Sequence, residues 1–184
     1  MSTNVNRFDI ICNELNSILP LEGEMAEIGV YKGTSAKIIH NKVPLKIFHL
    51  YDTFKGIVKA DSSIDIHADG DFSDTSIEKV KETLGDSLNL VYHEGTFPET
   101  FTEHDKKFCF VYSDTDTYFG TKETLINFAP RMVKGGKIIF DDYDWKGCPG
   151  IKIAIKEYAD PLTTIEIRLA GTQLIITFFS SILA

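Results

Sequence analysis

Apolar residues recur at Phe8, Ile11, Cys12, Leu15, Ile18 and Leu19 with the i, i+3, i+4, i+7 spacing of an amphipathic helix, and Pro20 closes it. Asn6 to Leu19 therefore reads as a helix that packs across a sheet or serves as a lid. Glu24 to Val30 is a short apolar run, a strand, leading through glycines to a helix over Thr34 to Asn41 with Thr34 at its cap. Leu45 to Tyr51 is a second strand, ending at Asp52, and a long polar loop follows from Thr53 to Asp74. Loops of that length in compact domains are usually functional.

Ser76 to Leu84 is a helix stopped by Gly85, and Leu88 to His93 is a strand ending in Glu94-Gly95. Phe108 to Tyr112 is the next strand, with Asp114 just past its end. Thr121 to Met132 is expected to be helical despite Pro130, with Gly135-Gly136 ending it before the strand Lys137 to Phe140 and Asp141-Asp142. Ile151 to Tyr158 is a helix. Thr163 to Leu169 and Gln173 to Phe179, joined by Ala170-Gly171, read as an antiparallel hairpin.

Strands alternating with helices and then a hairpin describe an α/β fold. Its sheet is mostly parallel, with helices on both faces and a C-terminal antiparallel hairpin. At 184 residues one domain is expected: a helix over 1–20, a core over 24–158 and the hairpin over 161–184. Ligands bind such sheets at the carboxyl ends of the strands, which selects Gly29, Asp52, Gly95, Asp114 and Asp141-Asp142 as the walls of one cleft.

Charge narrows the partners. Lys and Arg number 19 against 27 Asp and Glu, a formal charge of −8, and a surface of that sign repels phosphate backbones. No nucleic-acid partner is expected. Three cysteines far apart suggest neither a disulfide framework nor a cysteine zinc site. Met1 to Arg7 lacks the apolar core of a secretory signal, and the longest apolar stretch, the 11 residues from Leu174 to Ala184, falls short of the ~20 that span a bilayer. A soluble cytoplasmic protein without a membrane partner is expected, with homo-oligomerisation left open.

The first turn, Glu27-Ile28-Gly29-Val30-Tyr31-Lys32-Gly33-Thr34-Ser35, lets the backbone approach a ligand but lacks the first glycine of the dinucleotide fingerprint. A plain strand-to-helix turn would need the same glycines. As a ligand site, an acid-x-Gly-x-x-x-Gly turn suits S-adenosylmethionine, whose sulfonium and amino group carry positive charge and which has no pyrophosphate. Asp52, 19 residues after Gly33, is placed to accept ribose hydroxyls, or else caps a loop. Asp114-Thr115-Asp116 and Asp141-Asp142 bring carboxylates to neighbouring strand ends, where they repel one another unless protonated or bridged by a cation. All-oxygen ligands favour Mg²⁺, the plainer alternative being helix caps and loop carboxylates.

In this order, Glu27-Ile-Gly-Val-Tyr-Lys-Gly33, Tyr51-Asp52-Thr-Phe-Lys-Gly56, Asp114-Thr-Asp116-Thr-Tyr118, Gly135-Gly136 and Asp141-Asp142-Tyr143 resemble the macrocin and mycinamicin O-methyltransferase family. Those enzymes methylate sugar hydroxyls with S-adenosylmethionine and a metal on a Rossmann-like class I methyltransferase sheet. The resemblance runs from about Glu24 to Tyr158 and implies Asp114, Asp141 and Asp142 as Mg²⁺ ligands, the latter two following the first by 27 and 28 residues. It also implies His67, nine residues before Ser76, as the base. Glu27, Gly29, Gly33, Ser35 and Asp52 would hold S-adenosylmethionine, with Gly95 and Thr96 near its adenine. The acceptor would be a sugar-like small molecule.

The chain departs from the family where Phe119-Gly120 replace a Glu-Ser pair, which leaves the role of Asp116 open, and only one helix precedes Glu24. Tyr143 and Trp145 could stack on a sugar ring or simply pack the loop. His40, His49, His93 and His104 read as structural or solvated.

A neutral sugar hydroxyl, with a pKa near the ~15.7 of water, costs about 12 kcal/mol to ionise at pH 7. A divalent cation acidifies a hydroxyl, and a histidine removing the proton adds roughly 10²–10⁴-fold, so the two parts divide the work. Two rivals stand beside this reading. A nicotinamide-dependent oxidoreductase is disfavoured by the missing glycine and by an acidic cluster with no role in hydride transfer. A catalytically silent or nucleotide-binding protein of the same fold is favoured by the Phe119-Gly120 departure.

Overall fold

The computed structural model describes residues 6–159 and 165–180. Helix α1 (Arg7–Ile18) precedes β1 (Glu24–Ile28), α2 (Thr34–Lys42), β2 (Phe48–Asp52), α3 (Ile77–Leu84), β3 (Leu90–Glu94) and β4 (Phe108–Ser113). Then come α4 (Tyr118–Phe128), β5 (Met132–Phe140), α5 (Pro149–Tyr158), β6 (Ile165–Ala170) and β7 (Gln173–Phe178). They form a seven-stranded sheet in the order β3-β2-β1-β4-β5-β7-β6. Strands β1 to β5 pair in parallel, and β7 runs antiparallel between β5 and β6.

Both faces of the parallel part are covered, which is why its strands are continuous apolar runs: all six residues of β4 are buried. On one face Met25, Leu50, Phe110 and Ile139 pack with Ile11, Leu15 and Ile18 of α1 and Ile39 of α2. On the other, Ala26, Phe108 and Ile138 pack with Leu125 and Phe128 of α4 and Ile151 and Ile155 of α5. Each such buried side chain contributes about 1.5–3 kcal/mol of transfer free energy. Asn6 caps α1 by accepting from the Phe8 N–H, and Ser76 caps α3 by accepting from Lys79. No helix among the described residues is long and apolar enough to cross a membrane.

Several boundaries differ from the sequence expectation, and in the largest cases the reason is local. The cap of α2 is Gly33, not Thr34: the Gly33 N–H closes a turn onto the Val30 carbonyl at 2.8 Å and needs φ +79°. Helix α4 begins at Tyr118, because the Thr117 hydroxyl accepts from the Gly120 N–H at 3.1 Å. It gives way at Ala129–Arg131 to a 3₁₀ turn containing Pro130. Gly135-Gly136 lie inside β5, not at a helix end; β4 and β5 shift register between Phe108 and Phe110, and a Cβ on Gly136 would meet the Val133 carbonyl at 2.9 Å. In the hairpin the turn is Gly171-Thr172, and Thr163-Thr164 lie outside the described residues.

The chain builds outward from β1 through β2 to β3, then returns to lay β4 and β5 on the other side of β1. The order reverses between β1 and β4, so the connections after them lead to α2 and α4 on opposite faces of the sheet and leave a crevice between them.

Candidate active site

A cavity of about 320 Å³ opens at this reversal point, walled by Gly29, Asp52, Gly95, Phe119, Asp114 and Asp142 among others. Its floor is tight. The Asp114 N–H bonds the Ile28 carbonyl at 2.9 Å, and a Cβ on Gly29, at φ +83°, would stand 2.1 Å from the Asp114 carbonyl oxygen. Tyr31, Phe72, Asp116 and Asp142, all in the cavity wall, hold positive φ without being glycine. Such backbone strain, of order 1–3 kcal/mol each, concentrates where geometry serves function.

At the β1–β2 side, Asp52 anchors the turn. Its Oδ2 accepts from the Val30 and Tyr31 N–H groups at 2.7 and 2.8 Å, and Oδ1 accepts from Phe54 at 2.7 Å. A carboxylate has about four acceptor positions, so Asp52 keeps one for a ligand hydroxyl. Gly95, at φ +138°, donates to the Asp52 carbonyl at 3.0 Å and joins the same wall.

The other residues expected to hold a cofactor are not in the cavity wall. Glu27 is fully buried in β1, and its Oε1 accepts from the Ser35 hydroxyl at 2.5 Å. Burial pushes this carboxyl up to about 8, and its Oε2 has no hydrogen-bond partner. Gly33 instead makes room for α3, since a Cβ there would meet Leu84 Cδ1 at 2.7 Å. The Thr96 carbonyl accepts from the Thr100 N–H at 3.2 Å.

Opposite, the ends of β4 and β5 bring Asp114, Asp141 and Asp142 together, with one carboxylate oxygen of each within 4.8 Å of the others. Asp141 is fully buried and saturated. Its Oδ2 accepts from Arg7 Nη1 and the Tyr112 hydroxyl, each at 2.6 Å, and its Oδ1 accepts from Gln173 Nε2 at 3.1 Å and the Asp142 N–H at 3.0 Å. Arg7 also lies 3.9 Å from Asp114 Oδ2, a looser pairing. Asp114 is therefore pushed well above the usual carboxylate range, first by burial and then by the charge of Asp141. Asp142 is pushed up to about 6 for the same two reasons. Asp114 and Asp142, pushed up beside Asp141, are an unbalanced negative site, and the chemistry of the three-carboxylate donor set fits a hard divalent cation.

His67 comes from the 53–74 loop, which folds back on itself through the Ile57 and Gly70 N–H groups, bonded to Asp71 and Ile57 carbonyls at 2.8 and 2.9 Å. Its ring lies between Phe72 and Trp145, with centroids 5.1 and 6.0 Å away. Nδ1 faces Asp71 Oδ2 at 3.4 Å, while Nε2 is buried without a partner. A carboxylate on one nitrogen and a vacant lone pair on the other is the arrangement a general base needs. Trp145 thus lies tilted against this histidine, and Tyr143 packs against the core with Lys152 over its ring.

Sequence reading missed Arg7, Tyr112 and Gln173, which jointly surround Asp141. The contact between Arg7 and Asp141 spans 134 positions and leaves no periodic trace.

Residues 6–170 match the family model described as macrocin-O-methyltransferase (TylF). The chain belongs to this family. A curated relative, demethyldecarbamoylnovobiocin O-methyltransferase of Streptomyces niveus, is 28% identical over 167 residues, covering 78% of the chain and 63% of the relative. The chain therefore spans under two thirds of that protein's length. Among solved structures, the O-methyltransferase NovP superposes with a TM-score of 0.79 at 22% identity, covering 95% of this chain and 79% of NovP. The calicheamicin methyltransferase CalS11 gives 0.75 at 22%, covering 91% and 77%. The TylF-family chain shares their class I methyltransferase fold.

Proposed function

We propose that this TylF-family chain transfers a methyl group from S-adenosylmethionine to a hydroxyl of a sugar or another small molecule with adjacent oxygens, with Mg²⁺ held by Asp114, Asp141 and Asp142. The observation that carries the reading is the convergence of these three carboxylates on the edge of a cavity whose other wall is the Gly29-Asp52-Gly95 surface. Family membership and the sugar O-methyltransferases among its relatives support the same class. For the cofactor, the supporting features are Gly29 in the cavity wall and the free acceptor position on Asp52.

Bound Mg²⁺ supplies Lewis acidity and a template for two acceptor oxygens. The residues do the rest. Gly29 and Asp52 fix the cofactor side of the cleft, and Phe119 and Phe72 in the wall exclude water. His67 Nε2 takes the hydroxyl proton while Asp71 steadies the imidazolium through Nδ1. Because Asp141 is saturated, it can serve the metal only by releasing a partner, and Arg7, whose side chain is 40% exposed, is the one free to swing away.

Methylation of a panel of sugars and sugar nucleotides, with Mg²⁺ or with chelator, tests this. Activity is expected to vanish with chelator and to fall at least about 100-fold in Asp142→Asn and His67→Ala. Methyl transfer indifferent to chelator would overturn the metal assignment. The silent-protein reading, which the closed Arg7–Asp141 pair favours, predicts S-adenosylmethionine binding by calorimetry with no turnover on any acceptor and no uptake of Mg²⁺.

A further inference from the structure

A second cluster of donors lies away from the acidic site and shares no residue with it. His49 of β2, His93 of β3 and Glu103 of the connection between β3 and β4 meet beside the ring of Tyr51. Their side chains are 6, 11 and 10% exposed. We propose that His49 Nδ1, His93 Nε2 and Glu103 Oε1 form a structural Zn²⁺ site.

The geometry is specific. The three donor atoms are separated by 2.9, 3.9 and 3.8 Å. A circle through three points so spaced has a radius of about 2.1 Å, inside the roughly 2.0–2.2 Å at which imidazole nitrogen and carboxylate oxygen bind zinc. One position, in the plane of the three atoms, is thus at bonding distance from all three, and a cation there would replace the 2.9 Å hydrogen bond by which His93 Nε2 donates to His49 Nδ1, His93 giving up that proton.

The surroundings are also those of a metal site. His49 Nε2 stands 2.7 Å from Glu24 Oε2, so the outer nitrogen donates to a carboxylate and the tautomer leaves Nδ1 as a lone pair aimed inward. Glu103 is held in turn by the Tyr51 hydroxyl and the Thr102 N–H on Oε2, while Oε1, on the side of the histidines, also accepts from the Thr102 hydroxyl at 2.8 Å and keeps a second lone pair. The Tyr51 ring stacks on His93 at 4.2 Å and fixes its plane. Glu24 and Glu103 together balance the two positive charges of zinc; Lys106, 3.5 Å from Glu24 Oε1, faces the outside of the pair.

Two imidazoles and a carboxylate are borderline donors that select Zn²⁺ over Mg²⁺, the opposite preference to the all-carboxylate cluster. The donors are too buried to admit a substrate, so the role is to staple. Glu103 belongs to the connection that carries Gly95 and Phe97 into the cavity wall, and zinc would tie that connection to β2 and β3.

The test uses the full chain stripped with chelator, incubated with Zn²⁺ in excess Mg²⁺ and passed through a desalting column. One equivalent of zinc retained by the wild type and by Asp141→Asn is expected. Glu24→Gln should weaken binding by about 10–100-fold, and Glu103→Gln or His93→Asn by about 100-fold or more. Co²⁺ in place of zinc should give the visible absorption of a low-coordinate site, absent in His93→Asn. Should a ligand variant fold poorly, Glu24→Gln keeps all three ligands and still reads the site through its affinity. No retained zinc, retention unchanged in Glu24→Gln and His93→Asn, or loss in Asp141→Asn would each overturn the proposal.

Discussion

Replacing Glu27 with glutamine isolates the cost of a buried acid at the heart of the sheet. In the folded chain burial lifts this carboxyl to about 8 from an ordinary value of 4.5. Between those values the folded protein keeps a proton that the unfolded chain releases. The folded state binds more protons there, so stability falls as pH rises through that window and is unaffected below it. At about 1.4 kcal/mol per pH unit the loss reaches roughly 3 kcal/mol at pH 7 and about 5 kcal/mol above pH 8, a large share of the 5–15 kcal/mol typical of domains. Glutamine can still accept from Ser35 but does not titrate. Urea unfolding at intervals from pH 5 to 9, followed by circular dichroism, should give a difference between the two proteins that moves steadily in favour of Glu27→Gln as pH rises. Other titrating groups cancel in that difference. Two stability curves running parallel across the whole range would refute the reasoning.

Other consequences follow from the same site. Arg7→Gln removes the cation that competes for Asp141 Oδ2, so Mg²⁺ affinity measured by calorimetry should rise several-fold; an unchanged affinity would mean that Arg7 does not compete. Gly29→Ala forces a Cβ against the Asp114 carbonyl at 2.1 Å and a left-handed backbone, and should lower stability by more than about 2 kcal/mol and abolish S-adenosylmethionine binding. Thermal unfolding and calorimetry check both parts. Asp52→Asn leaves one of three backbone N–H groups poorly paired and should cost about 1.5–3 kcal/mol in denaturant unfolding.

The parts of the fold legible in the sequence are those where local pattern and tertiary environment agree. Parallel strands buried on both faces must be continuous apolar runs, so β1, β2, β4 and their terminal residues stand out, and the strand ends then select the cleft. Gly135-Gly136 misled because a glycine pair after a helix signals its end, whereas here it relieves a register shift that only pairing with β4 creates. The first turn was legible as a turn, but which of its residues face the cavity was not. Burial of Glu27 behind Gly29 follows from β1 lying inside the sheet, a property of strand order. His49 and His93 sit in strands with nothing local to distinguish them, and only the pairing of β2 with β3 aims one ring at the other. Arg7 and Gln173 are invisible for the same reason, since each acquires its role from a residue far along the chain.

The shell around Asp141 has a bearing on how the protein is made. Synthesis delivers Arg7 long before Asp141, but Gln173, which supports the inner oxygen of that carboxylate, leaves the ribosome only after all five parallel strands. Until β7 slides in beside β5, Asp141 is an acid headed for the interior with one of its four hydrogen bonds missing, and the edge of β5 is bare. A nascent chain can settle β1 through β4 as they appear, yet it cannot close the acidic site early. Completion of the acidic site is thereby coupled to translation of the hairpin, and a chain cut short before Gln173 leaves Asp141 without that support.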